Sequence, residues 1–374
     1  MSVTVEPVDS KRELAQFLKI PFRIHGKNHP QRVHPLVAQQ KAFLDERKNP
    51  FFRHAKARLW VARYGAIPVG RVAAAIDRVS NEYHEELVGY FGFYEAPDDA
   101  EVAQALLETA AAWIAGEGMA TMRGPACFTT NHDDLGLLVA GHERRAVIGM
   151  PWQPPYYQGQ LEAFGLAKAK DLLAWRFRAP GGVMPERLGR IGRRLAERGD
   201  VTVRPFRMDR FWDDVEIVRG LYYDAWKENW GFVPLDREEF RHQAKDMKSM
   251  VDPGFLLIAE REGEPIGFAM TTQDFNEALH GLNGSLLPFG WLKFLLAKRH
   301  IRGCRTLLLG VKPEHRQRGI DALLIYETVK YGTAHGYNDS ECSWILEDNV
   351  GMNGALEKFG ATLENRYRVY EKVL

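Results

Sequence analysis

One stretch of this chain carries residue types and spacing that suit it to hold a phosphate: Gly310-Val311-Lys312-Pro313-Glu314-His315-Arg316-Gln317-Arg318-Gly319-Ile320-Asp321-Ala322-Leu323-Leu324. An apolar run enters it from 306 to 311, and an apolar, helix-period run leaves it from 320. The pattern predicts a strand, a short loop and a helix that starts at once. A helix start leaves several backbone N–H groups unpaired and carries partial positive charge, so it attracts phosphate. Gly319 lets a ligand approach the backbone closely. Arg316 and Arg318 add charge-assisted hydrogen bonds. Together these are the parts needed to hold a pyrophosphate.

The elements around this loop are predicted to follow the order β-α-α-β-β-β-α-β-α-β. Strands fall at 201–207, 255–260, 265–271, 306–311, 340–346 and 366–373, and helices at 211–228, 237–250, 320–335 and 352–359. The first half repeats the order. Its strands fall at 3–8, 57–63, 68–76, 88–95 and 121–125, and its helices near 11–18, 36–44 and 100–115. Short matches support a repeat. Val3-Thr4-Val5-Glu6-Pro7 returns as Val201-Thr202-Val203-Arg204-Pro205, Pro68-Val69-Gly70 as Pro265-Ile266-Gly267, and Leu161-Glu162-Ala163-Phe164-Gly165 as Leu356-Glu357-Lys358-Phe359-Gly360. Each second copy lies about 200 residues downstream and in the same order, as a duplicated unit requires. The expected domains are therefore 1–180 and 200–374. Between them, Pro180-Gly181-Gly182 breaks structure and 181–199 forms a basic linker helix with Leu188, Ile191 and Leu195 on one face.

The segment at 311–322 resembles the pyrophosphate loop of the GNAT family of N-acyltransferases, V-x-P-x-x-R-x-R-G-x-G/A. That resemblance implies an α/β fold of two GNAT domains in tandem, each a mixed, mostly antiparallel central sheet flanked by helices. It implies an acyl-CoA donor in a gap between the fourth and fifth strands. The Val311 amide would point at the thioester carbonyl, and amides from Arg316, Gln317, Arg318, Gly319, Ile320, Asp321 and Ala322 would hold the phosphates. Asp321 departs from the family's small residue, and Ala322 takes that role one position later. The matching stretch of the first half, Gly92 to Glu101, has no arginine or glycine in its loop. It carries Asp98, Asp99 and Glu101 instead, so the first copy is expected to be free of CoA.

Acyl transfer needs a neutral amine, and an alkylamine is mostly protonated at pH 7, so a general base is required. Glu347 and Asp348, just past the fifth strand, are the candidates for the base. Asn349 and Asn353 are candidate positioning groups, Asn353 also on the cofactor side. The same residues suit helix capping equally well. Where many GNAT enzymes place a tyrosine as general acid toward the thiolate, this chain has Leu356, leaving Tyr326 or Tyr367 as substitutes. Trp226 and Trp230 fall where the family lines its acceptor side. The insertion at 274–305, rich in Leu and Phe around Trp291 and basic at one end, suits a core helix, an acyl-chain cover or a lipid surface.

The remaining features exclude more than they add. Composition is that of a soluble globular protein, with 45% hydrophobic residues and a net charge of +1, so no global field favours nucleic acid. Cys127, Cys304 and Cys342 form no zinc or disulfide spacing. His25, His29 and His34 are close, but Gly26 and Pro30 interrupt any helix that would align them on a metal. His132-Asp133-Asp134 reads as a loop or cap. No metal is expected, and no apolar run is long enough to span a bilayer.

The whole chain is similar to a bacterial group of tandem GNAT-like proteins that includes ceramide synthases. The segments that carry the similarity are Gly70 to Asp77, Gly92 to Glu95, Arg123-Gly124-Pro125, Pro154-Pro155-Tyr156-Tyr157, Asn229-Trp230-Gly231-Phe232 and Arg318 to Leu324. It implies transfer of a fatty acyl group to a sphingoid base, in the cytoplasm or at the inner face of the membrane. The alternatives are acetyl transfer to a small polar amine and a non-catalytic module that binds CoA or lipid.

Overall fold

The computed structural model describes residues 2–26, 28–248 and 251–374. Along the chain run β1 (Val3–Pro7), α1 (Lys11–Ile24), α2 (Val37–Phe43), β2 (Ala55–Tyr64), β3 (Ile67–Asp77), α3 (Arg78–His84), β4 (Val88–Glu95), α4 (Ala100–Gly116), β5 (Thr121–Gly124), β6 (Leu137–Ala140), α5 (Tyr156–Ala163) and β7 (Ala167–Arg178). They continue as α6 (Glu186–Arg198), β8 (Thr202–Pro205), α7 (Phe211–Trp226), α8 (Arg237–Lys248), β9 (Leu256–Arg261), β10 (Glu264–Gln273), α9 (Asn276–Leu279), α10 (Gly290–Lys298), β11 (Gly303–Val311), α11 (Ile320–Ala334), β12 (Asp339–Leu346), α12 (Val350–Lys358) and β13 (Thr362–Val373). The expected elements occur in the expected order in both halves, with α3 and β6 added in the first and α9 and α10 within the insertion of the second. The helix expected at 237–250 is seen to Lys248; 249 and 250 lie outside the described residues.

Two compact units result. One holds 1–172, 279–296 and 365–374; the other holds 173–278 and 297–364. The chain therefore passes between units several times, where the sequence suggests one linker between two contiguous blocks. In the first unit the strand order is β1-β2-β3-β4-β5-β13, with β6 also on β13; in the second it is β12-β11-β10-β9-β8. Each unit is antiparallel except for one parallel pair, β4 with β5 and β11 with β12.

Local chemistry sets the element ends. Ser10 and Glu13 form a reciprocal capping box on α1, and Asp99 caps α4 by accepting from the amides of Glu101 and Val102. The β9–β10 hairpin turns on Glu262 (φ 53°) and Gly263 (φ 82°), the paired positive φ values of a tight two-residue turn. In the first unit, Val72, Ala74 and Phe91 pack on Leu106, Leu107 and Ala110 of α4, while Ala73, Ala75 and Phe93 face Phe17 and Ile20 of α1. In the second, Ile258 and Phe268 meet Val218 and Leu221 of α7. Helices cover both faces of each sheet.

The basic helix expected as a linker belongs to the second unit's core. Leu188, Ile191 and Leu195 of α6 pack with Ala322, Leu323 and Tyr326 of α11. A Cβ on Gly192 would sit 2.0 Å from the Tyr326 ring, so glycine permits this close approach. A fully buried Leu such as Leu188 contributes about 1.5–3 kcal/mol, and here it packs in the same core as α11.

Candidate acyl-CoA site of the second unit

The parallel ladder of β11 and β12 pairs Gly303 with Asp339 through Thr306 with Cys342 and then stops. Both strands run on, to Val311 and to Leu346, so their ends have separated. On its other side β11 stays paired with β10, Gly267 opposite Val311. The Lys312 amide donates to the Ile266 carbonyl at 2.9 Å. In an antiparallel ladder hydrogen-bonded and non-bonded pairs alternate. Val311 is therefore a non-bonded position toward β10, and its N–H faces the opening left by β12.

Beyond Val311 the chain makes one 3-10 turn over Pro313–His315, then α11 begins with Gly319 as its N-cap. Gln317 and Gly319 have positive φ, 61° and 80°. No side chain caps the helix among the described residues, so the amides of Ile320, Asp321 and Ala322 stay available at the positive end of the helix dipole. These residues fit a pyrophosphate.

The two arginines have different jobs. Arg316 is tied to protein: its Nε donates to the Val311 carbonyl (3.3 Å) and its Nη2 to the Ala225 carbonyl (2.9 Å). Arg318 is exposed and makes no ion pair among the described residues. Asp321 sits in the first helical turn, half-buried, and Ala322 is buried beside it.

Trp226, at the end of α7, lies over the strand one residue before Val311. A Cβ on Gly310 would come within 2.2 Å of its ring, and the ring also packs on Phe268 and Tyr222. Trp230 is half-buried past the end of the same helix. Trp291 is on α10 in the first unit, 48% exposed.

Glu347 and Asp348 close β12, half-buried and exposed respectively. Asn349 is the N-cap of α12, its side chain accepting from the Met352 amide at 3.1 Å. Asn353 is a tie. Its Nδ2 donates to the Leu346 carbonyl (3.0 Å) and its Oδ1 accepts from Trp175 Nε1 (2.8 Å). Leu356 and Tyr326 are buried in the core with α6. Beneath the point where the strands part lies a buried network that sequence pattern gave no means to find. Ser343 Oγ accepts from Arg305 Nε (3.1 Å) and donates to Glu341 (2.8 Å). Burial pushes Glu341 above the usual carboxylate range.

Comparison with known proteins agrees with this geometry. The Acetyltransferase (GNAT) family pattern matches residues 215–361, which include the strand opening and the 311–322 loop. The bacterial ceramide synthase of Caulobacter vibrioides is 34% identical over 100% of this chain and 98% of its own length. Protein YghO of Escherichia coli is 34% identical over 97% of this chain and 93% of its own. A tandem GNAT protein from the clavulanic acid biosynthesis pathway superimposes with a TM-score of 0.60 at 13% identity, covering 100% of this chain and 98% of that one. The chain is a tandem GNAT acyltransferase, of the family that includes the bacterial ceramide synthase.

The first GNAT unit departs from the second at the corresponding place. Strand β4 pairs with β5 from Val88 to Tyr90 and then runs on to Glu95 paired with β3 alone. Here the opening is filled. A Cβ on Gly92 would lie 1.9 Å from the Ala126 carbonyl oxygen, so backbone occupies the space. The helix that follows is capped by Asp99, not left open. Glu95, at the strand end, is buried with His25, Arg32, Arg71 and Tyr157 around its carboxylate. His25 thus serves an ion-pair cluster. Among the described residues no group of three or more His, Cys, Asp or Glu side chains is placed to hold a metal.

Proposed function

We propose that this GNAT acyltransferase moves a long-chain acyl group from acyl-CoA to the primary amine of a sphingoid base, forming a ceramide. The observation that carries the donor assignment is the pair of features at one strand end: β11 and β12 part after Thr306, and an uncapped helix starts eight residues past Val311 at Gly319. The acceptor assignment draws on the relative named a ceramide synthase and on the helix α10. Around it Leu287, Phe289, Trp291, Leu292, Leu295 and Leu296 are all exposed. The same stretch carries Lys293, Lys298, Arg299 and Arg302, with no acid between Glu277 and Glu314. Exposed apolar area of this kind marks an interaction site, and the cations suit it to the inner, anionic face of a membrane.

In this reading the Val311 N–H polarises the thioester carbonyl, and the amides at the start of α11 with Arg318 hold the pyrophosphate. Trp226, beside Gly310, walls the acceptor side. The second unit alone binds CoA. The acceptor ammonium first loses a proton to a base, Glu347 or Asp348, directly or through water. Its nitrogen then attacks the carbonyl carbon, the C–N bond forms, the C–S bond breaks, and the second proton that the nitrogen sheds in becoming an amide passes to the departing thiolate. Asn349 and Asn353 hold the β12–α12 junction in place.

The test is thiol release by the purified protein from palmitoyl-CoA and from acetyl-CoA, each with and without sphinganine, with products weighed by mass spectrometry. Sphinganine-dependent release from palmitoyl-CoA with an N-palmitoyl product is expected. Activity confined to acetyl-CoA and a small polar amine would overturn the lipid assignment. If Glu347→Gln and Asp348→Asn each leave the rate intact, neither acid is the base.

A further inference from the structure

Strand β4 ends on Glu95 where β11 ends on Val311, and each strand end is followed two residues later by a proline, Pro97 or Pro313, and then by a helix. In the first unit this position holds a carboxylate instead of a carbonyl-binding amide. Glu95 accepts from His25 Nε2 (2.6 Å), Tyr157 Oη (2.9 Å) and Arg32 Nη2, with Arg71 Nη2 at 3.5 Å. Burial opposes its charge, but Arg32, His25 and Arg71 outweigh burial and hold it below the usual carboxylate range. Burial, then Arg32, bring the His25 ring down to about 4, so at neutral pH Nε2 carries the proton toward Glu95 and Nδ1 presents a bare lone pair.

That lone pair has no partner. Nor have His34 Nδ1, Arg32 Nε and Arg71 Nε, all buried. His25 is fully buried and Arg71 nearly so, its guanidinium 4.8 Å from the Phe17 ring and 5.4 Å from that of Phe93. An unmet buried polar group is costly, and four in one cluster exceed what a folded core normally carries. The unmet set mixes donors with an acceptor: the two guanidinium Nε–H groups donate, His25 Nδ1 accepts, and His34 Nδ1 is a second unmet ring nitrogen. A hydroxyl satisfies both kinds, because it donates once and accepts twice. Asp134, pushed up to about 6 by burial and then by Asp133, and the buried Cys127 thiol lie within electrostatic reach of this cluster. His29 and Trp152, with rings 5.1 Å apart, lie beside His25.

We propose that the first unit binds the hydroxyl-bearing end of an amphiphilic amino alcohol at this centre, with His25 Nδ1 accepting from a ligand hydroxyl and the Nε–H groups of Arg32 and Arg71 donating to its oxygens. The amino alcohol class rests on the acyl-acceptor assignment above; the hydroxyl specificity rests on the unmet atoms alone. The first copy has thus exchanged a CoA cleft for a polar receptor at the same strand end.

Full-length protein labelled with [15N]histidine is titrated in detergent micelles, without acyl-CoA, with sphinganine and with octadecylamine, which has the chain and amine but no hydroxyl. His25 and His34 are recognised as the rings that stay neutral at pH 5. The expected result is a shift of the His25 Nδ1 resonance with sphinganine and none with octadecylamine. His25→Asn and Glu95→Gln should weaken sphinganine binding by about tenfold or more, the loss expected for a buried hydrogen bond to a charged network. No shift at saturating sphinganine would mean that water alone meets these atoms, and equal shifts with both amines would remove the hydroxyl specificity; either overturns the proposal. If the variants do not fold, the wild-type spectra decide. Because the titration needs no CoA, a His25 shift with sphinganine but no sphinganine-dependent thiol release in the separate acyl-CoA assay would sink the ceramide assignment and keep this site, whereas thiol release without a His25 shift would do the reverse.

Discussion

Arg316 and Arg318 stand two residues apart and have the same chemistry, yet only one is committed to the protein. Arg316 braces the loop against the carbonyls of Val311 and Ala225, while Arg318 is exposed at the uncapped helix start. Arg318→Ala should therefore weaken CoA binding roughly tenfold, as loss of a charge-assisted contact does, with an unchanged melting temperature. Arg316→Ala should lower both affinity and melting temperature; paired calorimetric titration and thermal unfolding separate the two outcomes. The buried histidines give a second expectation. Burial, the first cause in each, lowers His25 and His34 to about 4. Between their unfolded value near 6.5 and about 4, the unfolded chain binds protons that the folded chain does not, so stability falls as pH drops through that window. Asp134, raised to about 6, acts oppositely from about 6 downward and offsets one of the two. Urea unfolding should show a loss of about 1.4 kcal/mol per pH unit for each uncompensated proton, with the slope fully developed only below about pH 6. His34→Asn should flatten this slope. The strand–loop–helix at 306–334 was legible in the sequence because its residues are consecutive along the chain. The Glu95 cluster was not, because Glu95, His25, Arg32, Arg71 and Tyr157 come from distant segments, and the sequence supplied only a suspicious run of histidines.

Elements were readable where one physical signal dominated. The strands and helices around the phosphate loop follow from apolar periodicity and from the Gly319 start, and they occur where expected. Asn349 and Asn353 show the limit. Their position past a strand end suits either chemistry or capping, and geometry gives both side chains backbone or indole partners. The insertion is the opposite case, because composition alone left core, cover and surface open. The fold leaves Leu287 and Phe289 78% and 72% exposed, which a core helix would not. α10 should therefore bind vesicles containing phosphatidylglycerol and bind phosphatidylcholine vesicles weakly, with affinity falling as salt rises. A Trp291→Ala/Leu295→Glu double variant should lose flotation with both compositions at unchanged melting temperature, since these side chains are exposed in the folded protein. Flotation of the double variant equal to wild type would remove the membrane role of this helix.

The path of the whole chain makes a demand that neither half meets alone. Residues 365–374 belong to the first unit, where β13 pairs with β5 from Tyr370 opposite Gly124 to Val373 opposite Thr121. The Leu374 amide closes on the Ala120 carbonyl at 2.9 Å. Asp171 holds the same strand through Arg366 and Arg368. A protein cut back to 364 loses that strand, uncovers β5, and leaves Asp171 buried without these two cationic partners. Removing one side of a buried ion pair costs about 3–5 kcal/mol, and an uncovered strand edge invites association. The expected result is that a chain ending at 364 accumulates as aggregate, although the residues removed lie outside the matched GNAT segment at 215–361. Fragments 1–180 and 200–374, each with an apparently complete sequence repeat, should also fail to fold separately: the first lacks β13 and the second holds it without a partner. Soluble, monodisperse 200–374 that binds CoA as tightly as the full chain would show that the second repeat is self-sufficient. Otherwise duplication set the order of elements along the sequence, and strand exchange between the copies made the two units a single folding problem.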